Sequence, residues 1–369
     1  MRIGILLQMA GRRAGGPETY EVELVRALAK IDGENQYVIY CNHPAAIEAV
    51  GVAQANFQFH LLRPQNRWIS QTVTLPALIL RDRISLLHST FTPPFICPAR
   101  SVLTVHCLSS LSHPEFYPRG VAWRLNHLLR KGIRSSDALI CVSEATRKHV
   151  AELFPVPSGR LSVAHNGVSP GFRSLLPAEA SHVLRQRLGI DFPYLLFVGK
   201  LQARKNIVRL IDAYALYRKR SADPVKLLLA GNPTGSTAPI EEAIRRNDLG
   251  NEVIRIGYVP EDCLNALYSA ARMFLFPSLH EGFGIPLLEA MTCGTPVLTS
   301  NTTSLPEIAA DAAVLVDPLS IEDMADGMLR LDRSPELRFQ LVQKGFQRVR
   351  EFTWEKCART TLGVYQTVQ

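Results

Sequence analysis

Short apolar, β-rich runs alternate with helix-patterned stretches along nearly the whole chain, and this alternation restricts the architecture more than any other property. In the first half "RIGILLQ", "QYVIYC", "SLLHST", "SVLTVH" and "ALICVS" read as strands, with helical patterns such as "ETYEVELVRALAK" and "GVAWRLNHLLRKGIRS" between them. Around 170–193 the rhythm stops, and this stretch reads as the crossing between domains. It restarts with "YLLFVGK", helix 206–220, "VKLLLAG", helix 239–248, "EVIRIGY", helix 261–271, "MFLFPS", helix 286–293, "PVLTS" and "AAVLVD". Continuous apolar strands separated by helices predict parallel sheets covered on both faces. The expectation is two successive α/β domains, 1–187 and 188–352. A chain of 369 residues with 47% hydrophobic and 20% charged content has ample core for both.

Composition excludes several classes. No apolar run approaches the ~18 residues of a membrane span, and the first residues read as a strand rather than a signal peptide, which predicts a cytoplasmic protein. The seven cysteines form no CxxC pair, so neither a disulfide frame nor a zinc site is expected. Net charge is +8, and it is uneven: residues 1–187 carry 21 Lys+Arg against 12 Asp+Glu, or +9, leaving 20 against 21, or −1, for the rest. A basic first half suits an acidic surface or ligand, whether nucleic acid, anionic lipid or phosphate.

In open parallel sheets, ligands bind beyond the carboxyl ends of strands, so chemistry is sought in those loops. "HEGFGIPLLEAMTCGTP", 280–296, follows "MFLFPS". Glu281 falls in the loop, Pro286 suits the first turn of a helix, and Glu289 lies about one turn inside it. The Gly282-Phe283-Gly284 bend leaves amides free at a helix N-terminus, which attracts phosphate. Carboxylates there repel phosphate unless they accept from neutral donors such as sugar and ribose hydroxyls. By themselves, two acids eight residues apart fit a surface charge and a helix-dipole partner better than a sugar-binding pair, since such a pair arises readily by chance. "LLFVGKLQARKNIVRLIDAY", 195–214, places Lys200, Arg204 and Lys205 between a strand and a helix, suited to a diphosphate and also to a solvated charge run. His106 ends "SVLTVH", a position that also suits a structural histidine. Gly15 and Gly16 in "AGGPETY" mark a tight turn, and "VAHNGV" reads as a strand and a turn at Asn166-Gly167.

Together these residues carry a resemblance. "AGGPETYEVELVRAL", "TVHCLSSLSHPEFYP", "SDALICVSEATRKHV", "HNGVSPGF", "VGKLQARKN", "LHEGFGIPLLEAMTCGTPVLTSNTTSLPEIAADAAVLVDP" and "FTWEKCARTTLGVY" are similar to the retaining family-4 glycosyltransferases, mannosyltransferase-like members among them. The resemblance implies the GT-B fold: two facing Rossmann-like domains with the active site in the interdomain cleft, and a last helix, 353–369, crossing back onto the first domain. It implies that Arg204 and Lys205 hold the donor diphosphate, with Lys200 nearby. Glu281 adjoins the transferred sugar and Glu289 the ribose. The backbone of Gly282, Phe283, Gly284 and Ile285 reaches sugar or phosphate, His106 sits over the sugar near the anomeric carbon, and Gly15 and Gly16 belong to a loop reaching toward phosphates and acceptor. Two departures stand out: Cys107 replaces the usual Asp, which removes a possible partner for the imidazole, and "GGPETY" replaces a Gly-Gly-x-Gly-Arg-Tyr type of loop.

The expected reaction is transfer of a hexose, best matched by mannose from GDP-mannose, with retention, in bacterial surface polysaccharide assembly. The acceptor is expected to be a saccharide or a polyprenyl-linked saccharide. With no Asp-x-Asp at a strand end, no metal or other cofactor is expected. A UDP-sugar donor such as UDP-glucose, or a nucleotide-sugar 2-epimerase of the same fold, are the alternatives; nucleic-acid binding would explain the charge but none of the strand-end motifs. "WRLNHLLRKGIRSS", 123–136, with Arg124, Arg130, Lys131 and Arg134, fits peripheral contact with anionic membrane, and equally a core-facing helix with a solvated basic side.

Overall fold

The computed structural model describes residues 1–64 and 69–368, and the chain divides into two compact units, 1–167 with 353–369, and 168–352. In the first unit the strands are β1 (Arg2–Leu7), β2 (Gln36–Cys41), β3 (Phe57–Leu61), β4 (Leu86–Ser89), β5 (Arg100–Val105), β6 (Ala138–Cys141) and β7 (Leu161–Val163). They pair in parallel in the order β3-β2-β1-β4-β5-β6-β7. The second unit contains β8 (Tyr194–Val198), β9 (Lys226–Ala230), β10 (Val253–Gly257), β11 (Met273–Phe276), β12 (Val297–Ser300) and β13 (Ala313–Val316), all parallel, in the order β10-β9-β8-β11-β12-β13. These are the two Rossmann-like sheets of the GT-B class.

The central strands are buried almost end to end, as sheets covered on both faces require. In the first unit Leu6, Val38, Tyr40 and Leu87 pack with Leu75 and Ile79, while Leu103, Val105, Leu139 and Cys141 pack with Ile133 and Val150. Each such side chain contributes about 1.5–3 kcal/mol on burial. The helix Gly16–Ile31 packs along the helix Trp354–Thr367, both in the first unit.

The stretch that loses its rhythm is not a bare linker. It holds a helix, Pro177–Leu188, stopped by Gly189 and packed on the helix Glu261–Ala270. The division therefore falls after Gly167, twenty residues before 187/188, because this helix buries Ala180 and Leu184 within the second unit.

In both sheets the strand order reverses once, between β1 and β4 and between β8 and β11. Loops leaving two strands that connect in opposite directions diverge, and the gap they leave at the carboxyl edge is where open parallel sheets bind ligands. The loops after β1, β8 and β11 are those that carry the sequence motifs.

Candidate active site

In the second unit, β8 runs buried to Val198 and its chain emerges at Gly199. Lys200 is exposed; the turn Ala203–Lys205 follows, and Asn206, at φ 63°, starts the helix Ile207–Arg220. Asn tolerates this left-handed conformation, and its side chain donates to the Pro318 carbonyl at 2.6 Å. The turn is thereby fixed with Arg204 and Lys205 directed at the loop after β11. There the Leu279 amide donates to the Arg204 carbonyl at 2.8 Å.

Both cations converge on Glu281. Lys205 Nζ lies 2.5 Å from Glu281 Oε1, and Arg204 Nη1 donates to Oε2 at 2.8 Å and to the His280 carbonyl at 3.1 Å. Lys205 is only 6% exposed, with its ammonium 4.2 Å from the centre of the Phe276 ring, so cation–π attraction offsets part of its desolvation. Burial, the largest influence on Glu281, raises its pKa, but Arg204 and Lys205 outweigh it and hold the carboxyl at about 2. The loop is braced from behind: the Glu281 amide donates to Thr303 Oγ at 3.2 Å, and Ser304 Oγ lies 3.1 and 2.9 Å from the carbonyls of Glu281 and Phe283.

Gly284 adopts φ 109° immediately before the helix Ile285–Thr292, and a Cβ there would meet Leu305 Cδ2 at 2.8 Å. The Phe283 side chain is buried with its ring edge toward Phe352, leaving the backbone as the part of this bend that can serve a ligand. Glu289 lies farther along the helix, half-buried, and accepts from the Tyr268 hydroxyl at 2.8 Å. Burial pushes its carboxyl up to about 7, against the Tyr268 bond. Two carboxylates of one motif are thus set about five units apart by their surroundings, one pinned between cations and the other nearly without them.

The first unit holds the other candidates. His106 follows β5, and its Nε2 donates to the Thr90 carbonyl at 2.7 Å, so the ring has an orienting partner despite Cys107, whose thiol instead faces Ser109 Oγ at 3.1 Å. The Tyr20 ring meets the imidazole edge-on at 4.7 Å. Burial lowers the His106 pKa to about 4, against the pull of the Thr90 bond, so the imidazole is neutral at physiological pH. Gly15, with φ 76°, and Gly16 stand exposed at the start of the helix Gly16–Ile31. The structure therefore gathers Arg204, Lys205 and Glu281 into one cluster, places Glu289 apart on Tyr268, and seats His106 on Thr90.

Comparison with known proteins shows the family. The family model for glycosyl transferases group 1 matches residues 183–348, and that for glycosyltransferase family 4 matches residues 14–172. The O-antigen chain mannosyltransferase B of Escherichia coli is 31% identical over 277 residues, 74% of this chain and 73% of that protein. This chain is a family-4 glycosyltransferase. The serotype-specific mannosyltransferase WbdA of the same organism is 28% identical over 272 residues, 72% of this chain but only 33% of its own length. Among solved structures, Anabaena HepE in complex with UDP and glucose superposes over the whole of both chains with a TM-score of 0.79 at 18% identity, a likeness of fold.

Motif reading missed the residues that support the cluster. Thr303 and Ser304 lie inside a recognised block but carry no signal of their role. Phe276, Tyr268 and Thr90 lie outside the recognised blocks: Tyr268 meets Glu289 by packing of one helix on another, and Thr90 meets His106 through the adjoining strands β4 and β5.

Proposed function

We propose that this glycosyltransferase moves mannose from GDP-mannose, with retention, to a saccharide or polyprenyl-linked saccharide in bacterial surface polysaccharide assembly. The observation that carries the reading is the buried Arg204–Lys205–Glu281 cluster where the second sheet reverses its strand order. Two fixed cations and the amides before helix Ile285–Thr292 suit a diphosphate leaving group, whose charge grows as the glycosidic bond breaks. This assigns neutralisation of the diphosphate to the protein's own groups. Glu281 orients the sugar beside them, ionised Glu289 accepts from the ribose hydroxyls, and neutral His106 positions a sugar hydroxyl. The bond between the anomeric carbon and the β-phosphate oxygen breaks, the acceptor oxygen bonds to that carbon on the same face, and the departing phosphate oxygen takes the acceptor hydroxyl's proton.

Mannose as the sugar follows the named activity of the two bacterial relatives. GDP release from GDP-mannose, followed beside UDP release from UDP-glucose, tests the donor. Faster turnover of UDP-glucose overturns GDP-mannose, loss of turnover in EDTA overturns the metal-free assignment, and a 2-epimer as sole product overturns transfer.

A membrane contact is proposed on one further observation. The helix Arg119–Ser135 packs Ala122, Leu128 and Ile133 inward, yet leaves Trp123 73% exposed beside Arg124, with Arg130 and Arg134 also outward. Among the described residues no helix is long and apolar enough to cross a membrane. Co-sedimentation with anionic vesicles but not with neutral ones, lost in Trp123→Ser, is the expected result; equal recovery with both overturns it.

A further inference from the structure

In the first unit, a buried carboxylate to which the family resemblance assigns no role organises the surroundings of His106. Glu21 lies in the second turn of helix Gly16–Ile31 and is 0% exposed. Its Oε1 accepts from the Gln8 amide at 2.9 Å, and its Oε2 from the Met9 and Ala10 amides at 2.8 and 2.7 Å. These three amides belong to the chain as it leaves β1, where no neighbouring strand can take them. The fourth contact is to Thr90 Oγ, 2.6 Å from Glu21 Oε1 and 2.7 Å from the Leu6 carbonyl. Thr90 follows β4, on the other side of the strand-order reversal, and its own carbonyl holds His106 Nε2 at 2.7 Å. A second tie runs parallel: Gln8 Oε1 accepts from the Thr92 amide at 2.7 Å and faces its hydroxyl at 3.1 Å. Phe91, held between the two threonines, has its ring 6.1 Å from that of His106.

A carboxylate is a costly way to fill an interior. Burial raises the Glu21 pKa despite four hydrogen bonds that favour its ionised form. An apolar side chain would fill the same volume but leave three backbone donors unmet. The carboxylate spans both loops of the crevice at once, and the loop after β4 carries the only protein acceptor shown for the imidazole among the described residues. We propose that Glu21 is a positioning residue, which fixes Thr90 and the loop after β1 and through Thr90 sets the seat of the His106 ring. This rests on the reading of His106 as the residue over the transferred sugar.

The test uses the full chain and the variants Glu21→Gln, Thr90→Val, Thr90→Ser and His106→Ala. Nucleotide release from GDP-mannose and from UDP-glucose gives kcat and donor KM, and the ring resonances of 15N-labelled histidine report the imidazole, His106 being assigned by its loss in His106→Ala. Glu21→Gln keeps the volume but turns an amide donor on Gln8 N–H. Thr90→Val removes only the hydroxyl. Each is expected to shift the His106 resonances and to lower kcat about 10-fold or more, with donor KM changed less than about twofold, because small misplacements near reacting atoms cost orders of magnitude in rate. Thr90→Ser recovers most of the loss. An unshifted His106 signal with wild-type kcat in Thr90→Val overturns the proposal, whether or not Glu21→Gln folds. If His106→Ala is inactive while Glu21→Gln and Thr90→Val keep full rate, the proposal fails alone. If His106→Ala is fully active, the reading beneath it fails first and takes the proposal with it.

Discussion

Glu281 and Glu289 stand eight residues apart yet titrate at opposite ends of the carboxylate range, and each difference has a measurable consequence. The Glu289 carboxyl, raised to about 7 by burial, accepts from two hydroxyls strongly only when ionised, since protonation turns one of its oxygens into a donor. Such a group is roughly 90% ionised at pH 8 and roughly 10% at pH 6, so donor KM rises as pH falls across this window. Glu289→Gln is expected to flatten that dependence, with a high KM at all pH values; a KM that stays flat in the unmodified enzyme overturns the assignment. The stability sign is opposite to that of a salt-bridged acid. The unfolded chain ionises first, so Glu289 lowers stability progressively as pH rises from the usual carboxylate range to about 7. Glu281, held at about 2, contributes stability above the usual range, lost as pH falls toward 2. Removing its charge leaves Lys205 and Arg204 facing each other, a broken buried pair that costs roughly 3–5 kcal/mol. Glu281→Gln therefore unfolds more easily, loses transfer, and binds free GDP or UDP more tightly than the parent because the two cations are no longer shared. Weaker nucleotide binding by calorimetry would show that Glu281, rather than the phosphate, is their proper partner. His106, neutral above about pH 4, gives no ionisation near 6.5 in the rate profile.

At the scale of elements, the second unit was nearly transparent in its sequence and the first was less so. All six strands from β8 to β13 coincide with apolar runs: β9, β8, β11 and β12 lie inside the sheet and are buried almost throughout, while the edge strands β10 and β13 keep enough Val, Ile and Leu to register despite exposed Arg255 and Leu315. In the first unit β3, Phe57–Leu61, was missed: it lies at the sheet edge, and only every other residue in "FQFHL" is apolar. β7 is three residues long, too short for any period to register. The cluster residues were legible because their motif spans single loops. Thr90, Tyr268 and Glu21 were not, since their partners lie 16, 21 and 69 residues away and are set by tertiary packing: adjoining strands for Thr90, helix on helix for Tyr268, and helix on sheet for Glu21. Close approach of loops is equally invisible in sequence. Gly231, at φ 138°, lies where a Cβ would come 2.0 Å from the Gly199 carbonyl oxygen. Alanine there must displace the chain leaving β8, the segment that carries Lys200, Arg204 and Lys205. Gly231→Ala is expected to cost at least roughly 1–3 kcal/mol from backbone strain alone and to raise donor KM. An unchanged denaturation midpoint with unchanged KM contradicts the close approach.

For the molecule as a whole, the chain passes from one unit to the other after Gly167 and returns after Phe352. The returning helix is built into the first unit's interior: Tyr365 OH lies 2.6 Å from His88 Nδ1, and His88 Nε2 lies 2.7 Å from Thr104 Oγ, which in turn meets Tyr20 OH at 2.8 Å. Burial pushes the His88 pKa down to about 3, so this interior chain is uncharged and depends on complete hydrogen bonding. Tyr365→Phe leaves a buried ring nitrogen without its partner, at about 1–3 kcal/mol. The residues proposed for the nucleotide and its diphosphate, Arg204, Lys205 and Glu289, belong by contrast to the second unit. Ligand binding and helix docking therefore report on different parts of the chain, and amide hydrogen exchange separates them. GDP at about 100 times its dissociation constant stabilises what it binds by about 2.7 kcal/mol, and protection is expected in 199–206 and 280–289. Tyr365→Phe is expected to speed exchange in β4 and β5 while leaving GDP protection of the second unit intact. If GDP protected only β4 and β5, the nucleotide would have to be reassigned to the first unit, and the roles given to Arg204, Lys205 and Glu289 would fall with it.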